Sequence, residues 1–135
     1  MTKLILGDTY TENVQFTQAN VDIFAQVTGD NNPIHVDPVY AATTPFGKPI
    51  VHGFYAGSVF SKVFGTTWPG EGTIYLYQEM SFRAPVFVDQ KYTATFEIIE
   101  IDTEKHRAIV RCQLEDSEGK VAITGSAKLL HKEKF

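Results

Sequence analysis

A chain of 135 residues, 43% hydrophobic and 21% charged, has the length and composition expected of one globular domain with a buried core, which excludes a disordered or fibrous chain. Its formal net charge of -4, with 12 Lys and Arg scattered along the chain, offers no basic field to a nucleic-acid backbone. The single cysteine, Cys112, excludes an internal disulfide and a cysteine-held zinc or iron-sulfur centre.

At the N-terminus, Leu4, Ile5 and Leu6 are the only apolar run before Gly7 and Asp8, well short of the roughly 7 to 15 apolar residues of a secretory segment. The longest apolar stretch, Ile50 to Gly65, is shorter than the about 20 residues of a membrane helix and carries His52 and Lys62. The expectation is a soluble, cytoplasmic protein without a membrane partner. Val14 and Phe16 close a short extended segment. Thr17 then suits the cap of a helix in which Val21, Phe24, Ala25 and Val27 recur near the helical period, and Gly29 suits its end.

From Asp30 to Pro49 the chain carries Pro33, Pro38, Pro45, Gly47 and Pro49, which predicts a structured loop with a capped helical turn over Asp37 to Ala42. A second helix is predicted from His52 and Gly53 to Phe64, with Gly65 as its C-cap. Phe54, Tyr55, Val59, Phe60, Val63 and Phe64 make it apolar nearly all round, the pattern of a buried helix. Its small residues Ala56, Gly57, Ser58 and Ser61 would let a curved sheet approach closely.

Gly70, Glu71 and Gly72 lack the lysine and third glycine of a phosphate loop and read as a turn. Thr73 to Phe82 reads as a strand, and a period of two follows. Tyr92, Ala94, Phe96 and Ile98 alternate with polar residues, as do Val121, Ile123, Gly125, Ala127 and Leu129. Asp102 to Lys105 and Ser117 to Lys120 supply the turns. Cys112 falls in phase with Ala108, Val110 and Leu114 and reads as a buried small hydrophobe. The economical arrangement is a single α+β domain over residues 1–135, an antiparallel sheet of about five strands packed on one central helix.

Reactive groups concentrate in Gly29 Asp30 Asn31 Asn32 Pro33 Ile34 His35 Val36 Asp37 Pro38. Asp30 and His35 do not share a helix face, but a turn at Asn32 and Pro33 would fold carboxylate and imidazole toward one point that could hold a water. Turn-forming and capping roles account for the same residue types, and a metal set of His35, Asp37 and His52 has no defined spacing; no metal is assigned. His52 reads as a hydrogen-bonder at a helix start, and His106 and His131 as solvated.

The run GDNNPIHVDP, followed by PIVHG at Pro49 to Gly53 and PGEGTIYLYQEMSFRAPVFV at Pro69 to Val88, is similar to the MaoC-like (R)-specific enoyl-CoA hydratases over Val14 to Leu130. The resemblance implies a hot-dog fold and hydration of a trans-2-enoyl-CoA to the (3R)-hydroxyacyl-CoA. It implies Asp30 and His35 as the catalytic pair, Gly53 as an oxyanion contact through its N–H, and Ser61 as a polar neighbour orienting Asp30. Asn32 would set the loop by bonding backbone groups. The rings of Phe54 and Tyr55 would shorten the acyl pocket to a preference of about four to six carbons. Coenzyme A would be part of the substrate rather than a cofactor, and the expected assembly is a homodimer with sheets joined edge to edge. Asp89 and Gln90 depart from a Gly-Asp pair that often follows this strand in the family. A (3R)-hydroxyacyl carrier-protein dehydratase runs the same chemistry backwards and is separated by its carrier dependence. A hot-dog thioesterase would release free thiol, and a non-catalytic acyl-thioester binder would do neither.

Overall fold

The computed structural model describes residues 2–135, with Met1 outside them. Five strands, β1 (Thr9–Gln15), β2 (Ile74–Phe82), β3 (Lys91–Asp102), β4 (Arg107–Asp116) and β5 (Val121–Leu130), form one antiparallel sheet in the order β1-β3-β4-β5-β2. Four helices precede the second strand: α1 (Gln18–Thr28), α2 (Pro33–Val36), α3 (Pro38–Ala42) and α4 (Gly53–Thr66). This is the expected hot-dog arrangement, five antiparallel strands and one long helix. None of the helices described is long and apolar enough to cross a membrane.

The inward positions of the central strands are those that the period of two selects. Tyr92, Ala94, Phe96 and Ile98 on β3 and Ala108, Val110, Cys112 and Leu114 on β4 are buried, while their neighbours are not. Against this face α4 places Ala56, Gly57, Val59, Phe60, Val63 and Phe64, all buried. Phe60 and Phe64 both meet Phe96 edge-on, at 5.7 and 5.3 Å between ring centroids. Burying each such ring is worth about 1.5–3 kcal/mol, so this cluster anchors the helix to the sheet. Gly57 is where the backbone comes closest: a Cβ there would lie 2.6 Å from Met80 Sδ on β2. Cys112 is fully buried, and desolvation pushes its thiol up to about 11, the behaviour of packing rather than of a nucleophile.

Three expectations need correction. The helix does not stop at Gly65; it runs to Thr66, and the N–H of Thr67 bonds Val63 O at 2.9 Å before Pro69 ends regular structure. Nor is α4 buried all round in the single chain. Phe54, Ser58, Ser61, Lys62 and Gly65 recur on one helical face and are exposed. Third, His131 is buried, not solvated: its Nε2–H donates to Glu71 O at 2.9 Å, and its Nδ1 accepts the N–H groups of Glu133 and Lys134 at 3.2 Å. His106 is half-buried with Nδ1 2.9 Å from Phe135 O. Both rings tie the C-terminal residues to the Gly70–Gly72 turn and the β3–β4 turn.

The edges of the sheet are β1 and β2. On β2, Ile74, Tyr75, Leu76 and Tyr77 are all exposed, a contiguous apolar run on an unpaired edge.

Candidate active site

The loop that begins at Asp30 is shaped by successive caps. Thr17 Oγ1 accepts the N–H of Asn20 at the start of α1, and Gly29, at φ 79°, closes its end, so the chain leaves the helix in a fixed direction at Asp30. The N–H of Asn32 donates to Asp30 Oδ1 at 3.4 Å, and Asn32 Oδ1 accepts the N–H of Ile34 at 3.3 Å. Asn32 is thus the N-cap of α2, with Pro33 in its first turn. One turn later comes His35. Asp37 caps α3 by accepting the N–H groups of Val39 and Tyr40 at 3.0 and 3.2 Å, so its carboxylate is spent on a helix start.

The one-turn helix brings Asp30 and His35 together. A carboxylate oxygen of Asp30 and one ring nitrogen each of His35 and His52 lie within 4.8 Å of one another. Asp30 is exposed while both histidines are buried. An atom accepting or donating a hydrogen bond at about 2.7–3.2 Å to two partners spans such a gap, so one water can touch both Asp30 and His35. His35 Nδ1 lies 2.8 Å from the carbonyl oxygen of Ile50. A carbonyl only accepts, so Nδ1 carries the proton and Nε2 is left as an acceptor. Burial pushes the His35 pKa below its usual 6.5, against the Ile50 carbonyl, which favours the charged form, with smaller opposing influences of His52 and Asp30. The ring is therefore held neutral at neutral pH.

His52, the residue immediately before α4, stacks on His35 with 3.8 Å between ring centroids and 28° between planes. Its Nε2–H donates to the carbonyl of Asp30 at 3.0 Å, while its buried Nδ1 has no partner. These three side chains are the one group among the described residues close enough together to suggest a metal site. The stacking argues against it: an imidazole lone pair lies in its ring plane, and two planes inclined by 28° meet far beyond a metal–nitrogen bond of about 2.1 Å.

These groups line a cavity of about 550 Å³ that also includes Gly53, Phe54, Phe82, Arg83 and Ile123. Gly53 opens α4, and its N–H is one of those that a helix start leaves without an internal partner. The bond from Ala56 N–H to His52 O is the first of the helix. A side chain at Gly53 would collide with the ring of Phe82, whose Cε1 would lie 2.8 Å from the Cβ. Only a glycine keeps this helix start open to the cavity with Phe82 where it is.

Of the two aromatic residues assigned to the acyl pocket, the structure brings one to the cavity. Phe54 lines it, 73% exposed and edge-on to Phe82. Tyr55, the next residue on the helix, turns away toward α1, stacked on Phe24 and edge-on to Phe16, each at 5.2 Å. Ser61 is not brought to Asp30 either. It lies eight residues beyond Gly53, about 12 Å along the helix axis, exposed and outside the cavity lining. What the sequence reading missed is how the residues just before Gly53 hold the pair: the Ile50 carbonyl fixes the His35 ring and His52 bonds the Asp30 carbonyl. The PIVHG run was visible, but only spatial pairing tells what it holds.

The MaoC like domain model matches residues 5–119. The chain is 42% identical over 113 residues to an (R)-specific enoyl-CoA hydratase of Aeromonas caviae, covering 84% of each. It is 39% identical over 109 residues to a 3-hydroxybutyryl-CoA dehydratase of Methylorubrum extorquens, covering 81% of this chain and 69% of that one. Among solved structures, the (R)-hydratase from A. caviae involved in PHA biosynthesis superposes with a TM-score of 0.91 at 39% identity, covering 95% of this chain and 97% of that one. An R-hydratase from Pseudomonas aeruginosa superposes equally well, with a TM-score of 0.91 at 33% identity over 97% of this chain and 84% of the other.

Proposed function

The chain belongs to the MaoC-like domain family, and from that premise we propose that Asp30 and His35 hold one water against C3 of a trans-2-enoyl thioester whose carbonyl oxygen sits on the N–H of Gly53. The protein is a hydro-lyase, and its reaction is the (R)-specific hydration of trans-2-enoyl-CoA to (3R)-hydroxyacyl-CoA and the reverse dehydration. The observation that carries the assignment of residues is the convergence of an acidic and an imidazole side chain, within 4.8 Å, in a cavity that also contains an open helix start.

The chemistry follows from these groups. The water donates one hydrogen to the Asp30 carboxylate and the other to His35 Nε2, which turns its lone pairs toward C3. As the C3–O bond forms, the C2–C3 π electrons move into the thioester and the carbonyl oxygen becomes an enolate. The N–H of Gly53, at the positive end of α4, stabilises that charge, a contribution of about 3 kcal/mol for one such donor. Asp30 and His35 together take the proton lost from the water, and the pair returns a proton to C2, so that H and OH are added overall and the site is regenerated. Nothing besides water and the chain's own residues is used; coenzyme A enters as part of the substrate.

The assembly is proposed to be a homodimer. Ile74, Leu76 and Tyr77 on the open edge β2, together with Phe54 beside the cavity, form apolar surface that a second copy would cover. Sedimentation that returned only monomers at all concentrations would remove this part. The activity is tested with crotonyl-CoA: disappearance of the enoyl thioester absorbance, with chiral chromatography of the product acid giving the 3R enantiomer. A 3S product, or free thiol release without hydration, would overturn the reading.

A further inference from the structure

One side chain touches all three parts of the proposed chemistry without being consumed by it. Every hydrogen bond described for residues 29–32 is local, made within four residues, except one: the bond between the Asp30 carbonyl and His52 Nε2, which spans 22 positions. Asp30, Asn31 and Asn32 are exposed, so packing does little to hold this stretch. His52 is 2% exposed and immobilised between rings, with His35 on one contact at 3.8 Å and Phe24 on another at 4.7 Å. Its own peptide leads directly into Gly53 at the head of α4.

Packing alone does not select an imidazole here. A phenyl ring would fill the space beside Phe24 and His35 equally well, and would not bury a ring nitrogen without a partner, as His52 does with Nδ1. What a phenyl ring lacks is the Nε2–H.

We infer that His52 is a positioning residue that fixes the distance between the Asp30 loop and the Gly53 donor, by donating Nε2–H to the Asp30 carbonyl. The inference rests on Asp30 and His35 as the water-holding pair and adds what keeps them in register with the oxyanion contact. Loss of the donor frees the loop, and a displacement of about 1 Å at reacting groups can lower turnover by about a hundredfold.

The test uses the full-length protein in two ways. In wild type, proton–nitrogen correlation of the histidine rings is expected to show His52 as the Nε2–H tautomer and His35 as the Nδ1–H tautomer; the opposite tautomer at His52 overturns the inference whatever the kinetics. For turnover of crotonyl-CoA, His52→Phe keeps the ring and removes the donor, while His52→Gln keeps an N–H donor and removes the ring. The expected result is a kcat at least about thirtyfold down in His52→Phe with KM changed less than about threefold, and recovery to within about fivefold of wild type in His52→Gln. Equal activity in the two variants, high or low, overturns it. Should His52→Phe fail to fold, the tautomer measurement and His52→Gln decide, a His52→Gln kcat down about thirtyfold or more counting against the inference. Asp30→Asn measured in parallel separates the two claims. An active Asp30→Asn removes the catalytic pair itself, whereas an inactive Asp30→Asn beside an active His52→Phe removes only the positioning role.

Discussion

Replacing Gly53 by Ala is the perturbation that best separates catalysis from stability in this protein. The new Cβ would meet Phe82 Cε1 at 2.8 Å, with Cδ1 and Cζ at 3.1 and 3.2 Å, so the ring must give way by several tenths of an ångström. Phe82 is 54% exposed and can swing outward, which places the cost at the low end of the about 1–3 kcal/mol of overpacking. Alanine is favoured over glycine in a helix by up to about 1 kcal/mol, and Gly53 has no left-handed backbone to forbid it. The two effects nearly cancel, and the thermal midpoint should move by only a few degrees. Activity should not be spared. Gly53 and Phe82 both line the cavity, and a methyl plus a displaced ring crowd the approach to the N–H that the thioester oxygen must reach at about 3 Å. Loss of one such donor costs about 100- to 1,000-fold in kcat. Thermal melts followed by circular dichroism and steady-state hydration of crotonyl-CoA measure the two quantities on one sample. A Gly53→Ala protein that is folded and turns over at the wild-type rate would refute the oxyanion role of this helix start.

Because burial holds His35 below its usual 6.5, kcat/KM should stay level through neutral pH and decline only below pH 6.5 as the imidazole takes a proton. Stability should follow the same sign: the unfolded chain binds more protons than the native one below pH 6.5, so urea midpoints should fall as pH drops from there, and a midpoint that rises would contradict the neutral buried ring. Replacing Phe54 by Ala should widen the cavity on its exposed side and raise kcat/KM for an enoyl chain two methylenes longer by about tenfold relative to crotonyl-CoA, on the scale of about 0.8 kcal/mol per buried methylene. An unchanged ratio would place the acyl chain elsewhere.

How much of this was readable in the linear chain depends on the range of the interaction. Thr17 and Gly29 mark both ends of α1 because caps are local, and the alternation in β3 and β4 declares its buried face because a strand shows its sides every second residue. Asp30 and His35 were legible as a pair since the turn at Asn32 and Pro33 that joins them lies between them. Phe54 and Tyr55 were not separable: neighbours on a helix project about 100° apart, and which one meets the cavity depends on where α1 packs. The burial of His131, the exposure of one α4 face and the bond from His52 to Asp30 all rest on partners distant in the chain, for which composition leaves no mark.

In the proposed mechanism a carboxylate and a neutral imidazole share one water at the foot of α4. Hydration of crotonyl-CoA by Asp30→Asn, a change that keeps shape and the local bond to Asn32 while removing the base, tests it most directly. The expected result is a folded protein with kcat lower by at least about a hundredfold. Turnover at the wild-type rate would contradict it.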